Sequence, residues 1–216
     1  MNINRYTGSN HSLNYIHRLM KAYGLKSVIR RKRPGYVKVK PEHIGKNILD
    51  RDFTATKPNE KWLSDITEFK TNSGQKLYLC AILDLYDNSI ISYSTSIFNN
   101  NELVFKTFRQ ALKAYPNTKA IFHSDRGYQY TSKAFKRMIE KQGMTQSMSR
   151  VGKCIDNGPM ENFWGILKTE MFYLEKFNNI TDLNKAIDEY MNFYNTVRLQ
   201  AKLKSHTPIE YRNMAI

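Results

Sequence analysis

Apolar residues along this chain recur with two periods, and the changes from one period to the other mark the elements. Lys61–Phe69 reads as a strand, Thr71–Gly74 as a turn, and Lys76–Asp84 as a second, more buried strand. Asp87-Asn88 turns the chain into a third strand over 90–95, which predicts a three-stranded antiparallel meander. Val104, Phe108, Ala111, Leu112 and Tyr115 then recur at helical spacing, closed by Pro116. Ala120–Ser124 is a short strand, Phe135, Met138, Ile139 and Gln142 mark a helix, and a small strand over 144–147 follows Gly143. Pro159 suits a helix start because its missing N–H would have no partner there anyway. The stripe behind it runs through Met160, Phe163, Trp164, Leu167, Met171 and Leu174. Leu183, Ile187, Tyr190, Met191 and Tyr194 mark a last long helix, with Thr181 as its expected cap. Together these predict an α/β domain, a five-stranded mixed sheet with helices on its faces.

The first quarter of the chain has a different character. Residues 10–23 read as one short helix with Ile16, Leu19, Met20 and Tyr23 on a face and Gly24 as its stop. One helix cannot make a core, so it either docks on the main domain or belongs to a small helical module. Residues 26–57 read as a linker: Arg30, Arg31, Lys32 and Arg33 precede Pro34-Gly35, and no periodicity holds. The expected organisation is a helical segment over 1–25, a basic linker over 26–57, and the main domain with a helical tail over 58–213.

Charge sharpens this picture. The 216 residues carry a formal net charge of +15. Residues 1–58 hold 13 basic and 3 acidic side chains, so much of that excess sits in the arm. A basic arm ahead of a nearly balanced domain is the footprint of a polyanion such as nucleic acid, and extended basic segments track phosphates without reading sequence. The alternative is a general solubility charge. No apolar run reaches the length of a membrane span, and the first residues lack signal-peptide character, so no membrane partner and a cytoplasmic location are expected. Cys80 and Cys154 stand far apart and form neither a metal-binding pair nor a disulfide framework. His11 and His17 have zinc-like spacing without the cysteines to complete a site, and read as surface residues.

Two carboxylates fall in odd places. Asp65 interrupts the first strand among Trp62, Leu63 and Ile66, and a lone buried carboxylate is costly unless paired, metal-bound or at the sheet's rim. Asp125 follows a short apolar strand, where α/β sheets gather ligands, although an Asp there also serves as a turn residue. Glu161, on the Pro159 helix, would make a third; taken singly it is a helix carboxylate beside the stripe, with Lys168 two turns on along the same solvent edge. Three carboxylates and a phosphate-seeking surface suggest a two-metal phosphodiester site, because oxygen ligands suit Mg²⁺. Ser149–Gly158 shows no pattern and is expected to be a loop that orders with DNA and metal.

Thirty-five residues separate Asp125 from Glu161, and Lys168 follows by seven. That spacing resembles the D,D(35)E signature of retroviral integrases and insertion-sequence transposases. The segments Trp62–Thr67, His123–Tyr130, Asp156–Lys168 and Tyr194–Arg198, with Thr207-Pro208, resemble the OrfB product of bacterial insertion sequences of the IS-three group. The resemblance covers roughly 1–213. It implies a ribonuclease-H-like integrase core in which Asp65, Asp125 and Glu161 are catalytic and bind two Mg²⁺ ions, with Mn²⁺ as a substitute. The implied reaction is cleavage at the element's ends followed by strand transfer into target DNA.

The implied partners are double-stranded DNA (terminal inverted repeats and target), further copies of the chain in a multimer, and an upstream OrfA-type protein. The implied location is the bacterial cytoplasm, on the nucleoid when DNA is bound. Lys168 would contact phosphate near the element end. Asn157 and Lys153 are further candidate DNA contacts, as is the basic run Arg30–Arg33. His123 and Arg126 flank Asp125 as substrate contacts or structural residues. Relatives begin further upstream, with a helix-turn-helix region whose end resembles Asn10–Leu25. Where they often carry Ser-Arg after the second strand, this chain has Asp87-Asn88. Two other readings stay open: a ribonuclease-H-like nuclease without strand transfer, and a truncated DNA-binding regulator of transposition.

Overall fold

A computed structural model of the chain describes residues 2–26, 45–150 and 154–215. β1 (Lys61–Lys70), β2 (Lys76–Asp84) and β3 (Ile90–Ser96) form the expected meander, with Trp62 opposite Asp84 and Tyr78 opposite Ser96. After α3 (Asn101–Ala114), β4 (Ile121–Ser124) returns to the other side of β1 and pairs with it in parallel. α4 (Tyr128–Thr131) and α5 (Lys133–Lys141) lead to β5 (Thr145–Met148), parallel to β4. The sheet order is therefore β3-β2-β1-β4-β5, with β1 central.

Alternation along β1 separates two cores. Trp62 packs with Cys80, Ile82, Phe108, Phe122 and Phe135 on the face covered by α3 and α5. Leu63 and Phe69 face the other way, towards α6 (Gly158–Leu167) and α7 (Ile180–Thr196). Because the side-chain period of a strand is two, Asp65 and Thr67 share the face of Leu63 and point towards α6.

Several local expectations change. The Pro159 helix does not continue regularly: after Leu167 it widens into a π-helical turn over Lys168–Phe172, closed by Tyr173 N–H donating to the Lys168 carbonyl at 2.8 Å. That turn carries Leu174 out to solvent, while Met171 stays buried. The cap of α7 is Asn179, whose side chain accepts from Asp182 N–H, and Thr181 lies inside the helix. Within the segment read as a patternless loop, Cys154–Asn157 forms a 3₁₀ turn.

At the amino end two helices stand where one was expected. α1 (Asn2–Thr7) precedes α2 (Leu13–Ala22), which Ser12 caps. Arg5 pairs with Glu210 at 2.8 Å and donates to the Ser205 carbonyl, and Tyr6 Oη donates to the Val197 carbonyl at 3.3 Å. Of the apolar face assigned to α2, Ile16 is buried and Tyr23 is exposed.

The carboxyl end is tied down by charge. Thr207 and Glu210 form a reciprocal capping box at the start of α8 (Pro208–Asn213), which carries Arg212. The guanidinium of Arg212 reaches Asp87 at 2.7 Å and Asp84 at 3.0 Å, donates to Asn59 Oδ1 at 2.7 Å, and lies 4.7 Å from the Tyr115 ring centre. Asp87, at the position where the family resemblance suggests Ser, is thus a buried partner of this arginine. Removing one member of a buried ion cluster strands its partners without solvent. Arg212→Ala should lower unfolding stability by about 3–5 kcal/mol, and Arg212→Lys by clearly less. Urea unfolding measures both; a change under about 1 kcal/mol for the alanine variant, the range of exposed ion pairs, would remove the cluster from the account.

Candidate active site

The parallel register of β1 and β4 sets Ser64 opposite Ser124. Carried one position further, it places Asp65 level with Asp125, at the point where β4 ends. Asp65 sits on an inner strand and, like Asp125, is only partly exposed. Trp164, from α6, donates its indole N–H to Asp65 Oδ2 at 3.0 Å. Asp125 Oδ1 accepts from the backbone N–H of Gly127 at 2.8 Å. A Cβ at Gly127 would lie 3.1 Å from Asp125 Oδ1 and 3.0 Å from Gln129 Oε1, so any larger residue would press on both side chains by a few tenths of an ångström.

Electrostatics mark the pair. Burial first, then the neighbouring charge of Asp125, with a smaller push from Glu161, raises Asp65 to about 8. Burial likewise raises Asp125, against the Gly127 hydrogen bond. Two like charges brought together out of water favour the protonated form until a cation joins them. Asp65 and Asp125 offer only oxygen, the donor type that suits Mg²⁺ or Mn²⁺. Glu161 lies on the exposed side of α6, near enough to act on Asp65. Among the described residues, no three His, Cys, Asp or Glu side chains converge closely enough to hold a metal ion as they stand. The aspartate pair therefore fits a divalent cation.

The other predicted residues divide sharply. Lys168, expected on a solvent edge, is buried: its Nζ donates to Thr67 Oγ1 at 2.5 Å and the Glu68 carbonyl at 3.0 Å, and lies 4.8 Å from the Phe69 ring centre. Helical spacing could not foresee this, because the acceptors come from β1. Asn157 is also buried, its Nδ2 donating to the Ser64 carbonyl at 3.2 Å. His123 is fully buried between Ser147 Oγ at 2.9 Å and Ser149 Oγ at 3.1 Å, and burial lowers it to about 4. Arg126 donates to the Ser149 carbonyl at 2.6 Å. Lys153 and Arg30, Arg31, Lys32 and Arg33 lie outside the described residues.

Two contributors escaped the sequence reading. Trp164 belongs to an apolar stripe and reads as core. Asp156 reads as part of a loop, yet it is buried and accepts from Arg51 Nε at 2.7 Å and Arg150 Nε at 2.9 Å. The Arg150 side chain, foremost among its partners, holds the Asp156 carboxyl well below the usual carboxylate range.

A cleft of about 610 Å³ lies away from the carboxylates, between Lys57–Glu60 and Ala114–Lys119, at the starts of β1 and β4. Its size is no argument for chemistry, since it contains no paired carboxylates. The aspartates lie along the opposite direction of those strands, beyond the end of β4.

A central five-stranded mixed sheet with β2 antiparallel to its neighbours, helices on both faces and paired aspartates on adjoining strands defines a ribonuclease-H-like integrase core. Sequence and structure comparisons agree. Residues 55–154 and 161–216 each match models of the integrase core domain family. The putative transposase InsK of insertion sequence element IS150 from Escherichia coli is 44% identical over 199 residues, covering 92% of this chain and 70% of that protein. An uncharacterized transposase-like protein from Haemophilus influenzae is 42% identical, covering 93% of each. The HTLV-2 integrase catalytic core domain, solved with magnesium, superposes with a TM-score of 0.60 at 18% identity, covering 74% of this chain and 99% of that one. A simian T-cell lymphotropic virus intasome chain gives 0.64 at 18% identity, covering 97% and 73%. The chain belongs to the IS3-group transposases of bacterial insertion sequences.

The raised Asp65 makes a pH prediction with a definite sign. Between its unfolded value of 3.8 and about 8, the folded metal-free chain binds more protons than the unfolded one, so stability falls as pH rises. His123, lowered by burial, works the other way only between about 4 and 6.5, and the Asp156 contribution is lost only in acid. In EDTA, the unfolding midpoint should therefore drop from pH 6.5 to 8, by about 2 kcal/mol or roughly 5 °C. Asp65→Asn should abolish the drop. Equal slopes for both proteins in a thermal melt would refute the coupling of the two aspartates.

Proposed function

We propose that Asp65, Asp125 and Glu161 form a metal-dependent phosphodiester site that cleaves the ends of an insertion sequence and joins them to target DNA. The observation that carries this reading is the pair of aspartates level with each other on adjoining parallel strands, where burial and the neighbouring Asp125 raise Asp65. Family membership supplies the substrate class, double-stranded DNA carrying the element's terminal inverted repeats. Two Mg²⁺ ions, or Mn²⁺ in their place, would supply activation of water or a DNA 3′-hydroxyl and stabilisation of the leaving oxygen. The magnesium in the HTLV-2 core supports that choice.

The chain's own residues do the positioning. Trp164 fixes one oxygen of Asp65 in place. The Gly127 N–H does the same for Asp125. Lys168 braces the helix of Glu161 against β1 through Thr67 and Glu68. His123 ties β4 to Ser147 of β5, and Asn157 ties the start of α6 to β1 at the Ser64 carbonyl. Contact with phosphate falls to side chains that keep solvent access and to the basic run Arg30–Arg33. Strand transfer on two ends requires both to be held together, and the intasome assembled by the viral relative supports action as a multimer on DNA. An upstream OrfA-type partner would contribute further recognition of the ends.

The test is a gel assay of the full chain on labelled duplexes bearing the terminal repeats, with Mg²⁺ or Mn²⁺. Joined products are expected, and Asp65→Asn, Asp125→Asn and Glu161→Gln should each reduce them by more than about 100-fold. Cleavage without joining would reassign the chain as a nuclease, and retarded DNA without cleavage as a regulator. Trp164→Phe removes the indole hydrogen bond together with part of the buried ring, so its thermal midpoint is measured alongside. It should raise the half-saturating metal concentration by roughly 10-fold or more, and an unchanged metal requirement would deny Trp164 its part.

A further inference from the structure

The segment just before β1 is bonded at several points to the chain that leads into α6. The Met148 N–H donates to the Lys46 carbonyl at 3.1 Å. Ser147 Oγ accepts from both Ile48 N–H and Leu49 N–H at 2.9 Å. With both its lone pairs taken, that hydroxyl has its own proton to give to His123 Nδ1, which leaves Nε2–H to donate to Ser149. This chain of bonds ends beside Asp125.

Asp156 closes the arrangement. Its carboxylate is fully buried and accepts from Arg51 Nε (2.7 Å), Asn47 Nδ2 (3.3 Å), and the Arg150 backbone N–H (3.0 Å), Nε and Nη2 (both 2.9 Å). To present Arg51, the backbone adopts positive φ at two successive non-glycine residues, 40° at Asp50 and 65° at Arg51. Such a conformation persists only where the surroundings over-determine it. The next residue after Asp156 is Asn157, bonded to the carbonyl immediately before Asp65, and α6 with Glu161 starts directly behind it.

We propose that Asp156 is a positioning residue that, through Arg51, Asn47 and Arg150, sets the start of α6 and so the reach of Glu161 towards the aspartate pair. The inference rests on the reading of Glu161 as a metal ligand.

Arg51 provides the test, since its side chain is 42% exposed and its loss leaves Arg150 on Asp156. For the full chain, end cleavage is followed as Mn²⁺ is titrated, alongside DNA affinity and the thermal midpoint. Arg51→Ala should raise the half-saturating Mn²⁺ concentration about tenfold while DNA affinity changes less than about twofold and the midpoint stays within about 2 °C. Arg51→Lys, which keeps the ion pair, should recover most of the loss. Asp156→Asn, if it folds, should shift the metal requirement in the same direction. Weaker DNA binding at an unchanged metal requirement would make Arg51 a phosphate contact and overturn the proposal, as would no change in any readout. If wild-type cleavage survives Glu161→Gln, the reading of Glu161 has failed instead.

Discussion

Asp65 and Asp125 stand level because β1 and β4 run parallel with Ser64 opposite Ser124, and each neighbouring element has to reconcile that pairing with burial. Two adjoining carboxylates out of water repel each other and hold on to protons. Around them the fold supplies hydrogen-bond donors, Trp164 for one and the Gly127 backbone for the other. A fold optimised only for stability would have placed a lysine or an apolar pair there. The lysine nearest in sequence register, Lys168, is instead turned onto Thr67 and Glu68.

The contrast with Arg212 is instructive. Asp84 and Asp87 are two fully buried acids close together, and there the structure supplies a guanidinium. That cluster ties the last helix to the turn between β2 and β3, and its charges balance. Among the described residues no arginine is bonded to Asp65 or Asp125 in that way, and their hydrogen bonds come from Trp164 and Gly127. Asp156 is a third case: its charge is met by two arginines, and the residues it joins flank the site without being part of it.

The helix of Glu161 and the strand of Asp65 meet by a near match of their repeats. Four helical residues advance about 6 Å and two strand residues about 6.6 Å. Trp164 and Lys168 therefore reach Asp65 and Thr67 in turn along one face of β1. This puts the indole on the carboxylate and the lysine one step beyond it. Glu161, a turn earlier, is left at the solvent side, where a small movement of the helix start changes its distance from the aspartates.

The strands, most helices and the mixed-sheet class were legible in the chain itself, because periods of two and 3.6 are local properties that burial imposes residue by residue. The oddity of Asp65 was legible for the same reason, since a carboxylate amid Trp62, Leu63 and Ile66 breaks the local pattern. What local pattern cannot hold is the identity of a partner from another element. Asp156 looked like loop and proved a buried anchor for arginines, one of them over 100 residues away. Lys168 looked like solvent edge because the acceptors that bury it belong to β1, and Trp164 looked like core because its one polar atom finds Asp65 only when sheet and helix meet. The sequence by itself determined which residues would lie on which face of each element. Only the tertiary structure decided which of them pair, because hydrogen bonds and ion pairs depend on distances that sequence spacing does not encode.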